Sequence, residues 1–176
     1  MIKQIKMITF DLDDTLWDNY PTIMKAEVDT RKWIENKVGE VEWGDFNDFI
    51  KLRADLIKED ETIEWDISKL RKEIFRKKLS HVTPENLRNE IVDKAFDIFI
   101  EKRHEIKLFD GVKESIKNLS EKYILGVLTN GNADVYKFDI GLSLIHISEP
   151  TRPERIAYGG LCVEKKRGGG GGGGGG

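Results

Sequence analysis

The 176-residue chain has the size of one domain, or of one domain carrying an insertion, and can bury a core. Charged residues make up 35% and hydrophobic ones 39%, and no apolar run approaches the roughly 18 residues a transmembrane helix needs. The N-terminus meets carboxylates at Asp11 too soon for a signal peptide. A net charge of −3 with both signs interspersed argues against a nucleic-acid-binding surface, and the single cysteine, Cys162, excludes a disulfide framework or a cysteine-built zinc site. The expectation is a cytoplasmic globular protein with no nucleic-acid and no membrane partner. Oligomeric state leaves no mark on the sequence.

In chain order, Lys6–Asp11, KMITFD, is apolar at consecutive positions and ends in carboxylates. That predicts a strand buried on both faces, as in a parallel sheet. From about 19 to 106 the pattern is helical throughout. Pro21 suits the first turn of a helix carrying Ile23, Met24, Val28 and Ile34. Asp45 is placed to cap a second helix, with Phe46, Phe49, Ile50, Leu56 and Ile57 on one stripe. Ile67, Leu70, Ile74 and Phe75 mark a third, and Thr83-Pro84-Glu85 opens a fourth with Leu87, Ile91, Ala95, Phe96 and Phe99 inward. Four amphipathic helices in succession imply a small bundle. After Asp110-Gly111, the residues Val112, Ile116 and Leu119 recur at helical spacing. Tyr123–Thr129, YILGVLT, then reads as a second buried strand stopping at Asn130-Gly131-Asn132. The expected class is α/β, with a core from 1–18 and 107–141 and a helical cap at 19–106.

At residue 142 the composition breaks. Residues 1–141 hold 24 Lys and Arg against 29 Asp and Glu, whereas the remainder holds 5 against 3, and nine of the 17 glycines form the run Gly168–Gly176. Such a run has no side chains to bury and maximal backbone entropy to lose. Leu142–Arg152, LSLIHISEPTR, resembles in one frame the translated adapter end of transposon-based sequencing libraries. Ile156–Lys166 resembles a corrupted reading of the bases downstream of such an adapter, and poly-glycine matches poly-G. Residues 142–176 are therefore expected to be a non-native tail, disordered from about 148 onward. Within it LSLIHI is expected at most as a stray strand out of register, and His146 and Cys162 lose any functional claim.

Chemistry concentrates at the end of the first strand, in Asp11-Leu12-Asp13-Asp14-Thr15-Leu16. In an open α/β sheet, ligands bind beyond the carboxyl ends of the strands. Carboxylates at i and i+2 where a strand breaks can point at one site, and their repulsion suits a divalent cation with oxygen ligands such as Mg²⁺. One could then attack a phosphoryl group while the other handles protons. A bare acidic pair is equally an ordinary turn.

The match runs longer than the pair. FDLDDTL resembles the first motif of the haloacid dehalogenase superfamily, and VLTNG, Val127–Gly131, resembles the second. The resemblance covers residues 1–141 and implies a Rossmann-like parallel sheet, here lacking its C-terminal part, with an inserted four-helix cap. It implies that Asp11 is the nucleophile that forms an aspartyl-phosphate and a Mg²⁺ ligand. Asp13 would be the general acid/base, its backbone carbonyl a second metal ligand, and Thr129 with the backbone at Asn130 the phosphate clamp. Thr15 reads as a turn-stabilising residue. An aspartate at the position of Asp13 points to the phosphatase and phosphomutase branches. FDLDDTLWDNYPTI, TIEWDISKLR and TNGNADVYKF look like the phosphatases acting on flavin mononucleotide and on 5-amino-6-(5-phosphoribitylamino)uracil; related sugar-phosphate and nucleotide phosphatases share much of this. Trp17, Trp65 and Arg71 are candidate cap contacts to such a small phosphorylated metabolite, with core or surface helix positions as the plainer alternative. His81, His104 and the Arg76-Lys77-Lys78 run read as solvated helix residues.

Two departures stand out. The family's third-motif lysine or arginine and its distal acidic pair would fall after residue 141, and Glu164 and Lys165 sit in no helix or strand pattern that could supply them. The expectation is a Mg²⁺-dependent phosphomonoester hydrolase present as an inactive fragment. The alternative is a non-catalytic phosphate-binding or interaction protein derived from such an enzyme.

Overall fold

The short apolar runs at the two ends of the helical stretch come together as a parallel sheet. The computed structural model describes residues 5–129 and the strand at 145–148; the disorder expected beyond 148 concerns residues outside these. Strand β1, Met7–Phe10, pairs with β2, Ile124–Thr129, from Met7↔Ile124 to Phe10↔Val127. A third strand, β3, Ile145–Ser148, pairs parallel to the other edge of β2, so the order is β1-β2-β3. The protein is α/β. β3 lies in the segment expected to be a non-native tail without register, yet it runs in register from Gly126↔Ile145 to Thr129↔Ser148. The unpaired backbone groups along that edge of β2 are a template that a short extended segment satisfies.

Burial on both faces of the strands, expected from their continuous apolar runs, is not what forms. In-register neighbours share a face: Ile8, Phe10, Leu125 and Val127 pack with Leu12, Leu16, Trp17 and Ile116. Ile116 comes from helix α5, Val112–Ser120, which is positioned by Gly111 at φ 78. On the opposite face Met7, Ile124 and Leu128 are exposed. One helix and one turn cover one face, so period 2 governs burial even where apolar residues occupy both faces.

Four helices lie between β1 and α5: α1 Asn19–Val38, α2 Phe46–Glu59, α3 Ile67–Lys78 and α4 Glu85–Arg103, with a 3-10 turn at Glu61–Glu64. Asp18 caps α1 by accepting from the Tyr20 N–H at 3.0 Å. Asp45 closes a capping box on α2 with Asp48. Gly44 precedes it at φ 75, where a Cβ would sit 2.6 Å from Asp48 Oδ2, so the box needs glycine there. α1, α3 and α4 share a core of Ile34, Phe75, Leu79, Ile91, Val92 and Ala95, while Leu56, Ile63 and Leu70 seat α2.

The buried stripe of α1 runs Ile23, Ala26, Glu27, Thr30 and Ile34. Val28, expected on that stripe, is exposed because five residues from Ile23 is well over a third of a turn out of line. Leu87, expected inward on α4, is exposed one turn ahead of the first buried residue, Ile91. The Arg76-Lys77-Lys78 run is not simply solvated. Arg76 binds Glu73 and donates to Asn89 Oδ1, Lys77 reaches Glu59 at 3.0 Å, and Lys78 donates to the Glu42 carbonyl. Each such exposed pair contributes little.

Phe75→Ala should cost about 3–5 kcal/mol by urea denaturation, because the ring is fully buried among three helices, whereas Val28→Ala should stay within about 0.5 kcal/mol. The Asp60 carboxyl, which accepts from Lys69 Nζ at 2.7 Å and from Thr62 Oγ1 at 2.6 Å, is lowered from 3.8 to about 2. Its contribution to stability is present above the unfolded value and is lost as pH falls through about 2. A carboxyl NMR titration should find Asp60 ionised at pH values where an unpartnered aspartate has already protonated, with the difference shrinking in high salt.

Candidate active site

β1 delivers Asp11 to the carboxyl edge of the sheet, and the chain then coils tightly. Leu16 N–H donates to the Leu12 carbonyl at 2.9 Å and Thr15 N–H to the same oxygen at 3.2 Å. Leu12 and Leu16, both buried, pin this turn to the core. Asp14 closes it at φ 59, a left-handed conformation aspartate tolerates better than most residues, and its Oδ1 accepts from the Asn19 N–H at 2.9 Å.

The turn separates the two carboxylates of the motif. Asp11 is exposed, with Oδ1 accepting from the Leu12 N–H at 2.8 Å. Asp13 is partly buried and held at both oxygens: Oδ1 accepts from Trp17 Nε1 at 3.1 Å, and Oδ2 from Arg103 Nη2 at 2.6 Å. Trp17 is fully buried and Arg103 is 3% exposed. Trp17 also bridges Leu108, and the Phe109 N–H donates to the Leu16 carbonyl at 2.9 Å. The passages into and out of the helical stretch therefore lie side by side, next to Asp13. Thr129 ends β2 at the same sheet edge and is buried; Asn130 lies outside the described residues. Thr15 contributes to the turn through its N–H.

These donors limit the expected metal. Among the described residues no three His, Cys, Asp or Glu side chains converge on a common point. Asp13 spends both carboxylate oxygens on Trp17 and Arg103, which leaves the Asp11 carboxylate and the Asp13 carbonyl. Two oxygens do not make a shell for a hard, octahedral cation, so the described residues do not by themselves fit Mg²⁺.

The candidate cap contacts divide. Trp17 is a core residue whose indole N–H serves Asp13. Arg71 is also structural: Nη1 meets Glu27 Oε2 at 2.5 Å, and its guanidinium lies 3.6 Å over the Phe99 ring. Burial pushes Arg71 below the ordinary arginine range, against the pull of Glu27. Trp65 remains exposed at the C-terminal end of the 3-10 turn. Arg103 and Glu27 were not picked out from the sequence. Both were visible as charges in step with an apolar stripe, Arg103 after Ile91, Ala95 and Phe99, and Glu27 between Ile23 and Ile34.

Residues 5–149 match a hydrolase family described as haloacid dehalogenase-like hydrolase. The chain is 28% identical over 142 residues to the 5-amino-6-(5-phospho-D-ribitylamino)uracil phosphatase YigB of Escherichia coli (strain K12), covering 78% of this chain and 58% of that protein. It is similar to the crystal structure of 2-haloacid dehalogenase from Pseudomonas syringae pv. Tomato DC3000, with a TM-score of 0.71 and 32% identity over 82% of this chain and 64% of that one. The chain thus spans less than two thirds of the length of either.

Glu27→Ala should cost about 3–5 kcal/mol, because it strands the Arg71 guanidinium in the core, while Trp65→Ala should cost under about 0.5 kcal/mol. Thermal unfolding of the two variants beside the parent checks this ordering.

Proposed function

This chain belongs to the haloacid dehalogenase-like hydrolases, and we propose that the whole protein is a phosphomonoesterase working through an aspartyl-phosphate on Asp11. The observation that carries the reading is the unequal setting of the two carboxylates. Asp11 is exposed at the strand end, as a nucleophile must be, and Asp13 two residues on is held by a buried arginine and an indole. An Asp11 oxygen attacks phosphorus in line, the ester P–O bond breaks, and Asp13, protonated after releasing Trp17 or Arg103, gives its proton to the departing alkoxide. Water then attacks the acyl phosphate, Asp13 takes the proton back, and inorganic phosphate leaves. For either transfer Asp13 must let go of one of its two donors. Thr129, at the next strand end, would meet phosphate oxygens.

Mg²⁺ dependence is part of the proposal and rests on the family, since the described donors do not complete a shell. The substrate class is a small phosphorylated metabolite. The similarity to YigB supports a phosphoribitylamino-pyrimidine or flavin mononucleotide ahead of sugar phosphates and nucleotides.

Dehalogenation is the second reading, favoured by the similarity to the Pseudomonas syringae enzyme. A halide leaves without needing a proton, whereas an alkoxide does not. A carboxyl two residues after Asp11 could supply that proton once released from Trp17 or Arg103, so its presence favours phosphate ester cleavage over carbon–halogen cleavage.

The full-length protein should release phosphate from a small phosphate ester and no halide from 2-chloropropionate. Asp11→Asn should abolish phosphate release on every substrate. Retained turnover in that variant would exclude Asp11 as nucleophile, and absence of turnover in the parent would point to a non-catalytic relative. Hydrolysis of simple sugar phosphates or nucleotides about tenfold faster in kcat/KM than of flavin mononucleotide would move the protein to another phosphatase subgroup. The 176-residue chain by itself should release no more phosphate from an aryl phosphate than its Asp11→Asn control, because Asp11 and one carbonyl hold a hard cation poorly.

A further inference from the structure

Along α4, Ile91, Ala95, Phe99 and Arg103 recur at four-residue intervals on one buried face. Apolar side chains fill the first three places, and a guanidinium fills the last. A cation so placed needs a counter-charge, because removal from water is repaid only by close pairing. Arg71, the neighbouring buried arginine, has Glu27 for this purpose. Arg103 has Asp13: Nη2 lies 2.6 Å from Oδ2, and Nη1 is buried with no hydrogen-bond partner among the described residues. No other described carboxylate pairs with it.

Seen from Asp13, the pairing is equally restrictive. With Oδ1 on the Trp17 indole and Oδ2 on Arg103, the carboxylate has one orientation. Trp17 belongs to the same turn, but Arg103 is the last residue of α4 and lies 90 positions away in sequence. A movement of α4 relative to the turn must either carry Asp13 along or break the pair.

We propose that Arg103 is the positioning residue for Asp13, tying that carboxylate to the end of the last inserted helix so that the seating of the helix sets its orientation. The acid/base role of Asp13 comes from the function proposed above, whereas its placement by Arg103 stands on the geometry alone. A chemical group displaced by a fraction of an ångström loses much of its catalytic value. A lysine would keep the charge but replace a planar fork with a flexible point donor.

The test uses the full chain, ¹⁵N-labelled, and reads the Trp17 indole N–H resonance, assigned through Trp17→Phe. Asp13→Ala defines where that resonance falls when its acceptor is gone. Arg103→Met should move it most of the way to that position, and Arg103→Lys should move it by a smaller but clear amount, because the charge is kept and the planar fork is lost. In the Asp13→Ala background Arg103→Met should move it no further. Phe99→Leu, which disturbs packing one turn away without touching the pair, should leave it in place. If Arg103→Met fails to fold, Arg103→Lys and Phe99→Leu decide: the resonance shifts in the first and not in the second. An unmoved resonance in the Arg103 variants, or an equal shift in Phe99→Leu, overturns the proposal. On the full-length protein, Arg103→Met should lower kcat about tenfold or more with KM unchanged. A parent without turnover there defeats the phosphatase reading and leaves the indole result to judge Arg103.

Discussion

Burying the Arg103 guanidinium against a single carboxylate constrains the molecule at three levels. The helix that carries it must end where the β1 turn begins, since the contact is direct and 2.6 Å long. The turn must in turn present Asp13 inward, and that requires Leu12 and Leu16 in the core and a left-handed residue at Asp14. With Asp13 turned in, Asp11 is left exposed at the strand end. One buried charge thereby assigns different surroundings to two carboxylates separated by a single residue. A salt bridge of this kind is a poor source of net stability but costly to break from one side, which makes it a better specifier of geometry than a glue.

The same logic repeats one turn away. Glu27 on α1 binds Arg31 at 2.8 Å and Arg71 on α3 at 2.5 Å, and Arg71 stacks on Phe99 of α4. Three helices are thus registered to one another by charges that can be satisfied in few ways, inside a bundle whose apolar contacts alone would tolerate sliding. The chain then crosses back to the sheet at Leu108, against Trp17. Everything that fixes Asp13 lies within this crossing. The strands supply only the edge from which Asp11 and Thr129 emerge.

Much of this was legible from local pattern. Helices α1 to α5 can be read from apolar spacing because periodicity is a property of neighbouring residues, and Asp45 caps where a short polar side chain precedes such a stripe. The acidic turn after β1 was legible as the candidate site for the same reason. What the pattern hid is nonlocal. Val28 and Leu87 are apolar but face out, because their angular position and not their chemistry decides. Glu27 and Arg103 are charged but face in, because each finds a partner on another element. Trp17 sits beside the acidic motif like a substrate contact, yet it is a core residue with one useful N–H. β1 and β2 carry apolar residues on both faces, which conceals the one-sided cover that leaves Met7, Ile124 and Leu128 exposed.

The dependence of the site on the Arg103–Asp13 pair can be measured as a coupling free energy. Urea unfolding of the parent, Arg103→Met, Asp13→Asn and the double variant closes a double-mutant cycle on the full chain. If the pair governs the junction between helix and turn, the double variant should be less destabilised than the sum of the singles by about 2 kcal/mol or more, because each single leaves its partner stranded. Effects that add to within about 0.5 kcal/mol would mean that Arg103 and Asp13 stabilise the fold independently, and would contradict the account.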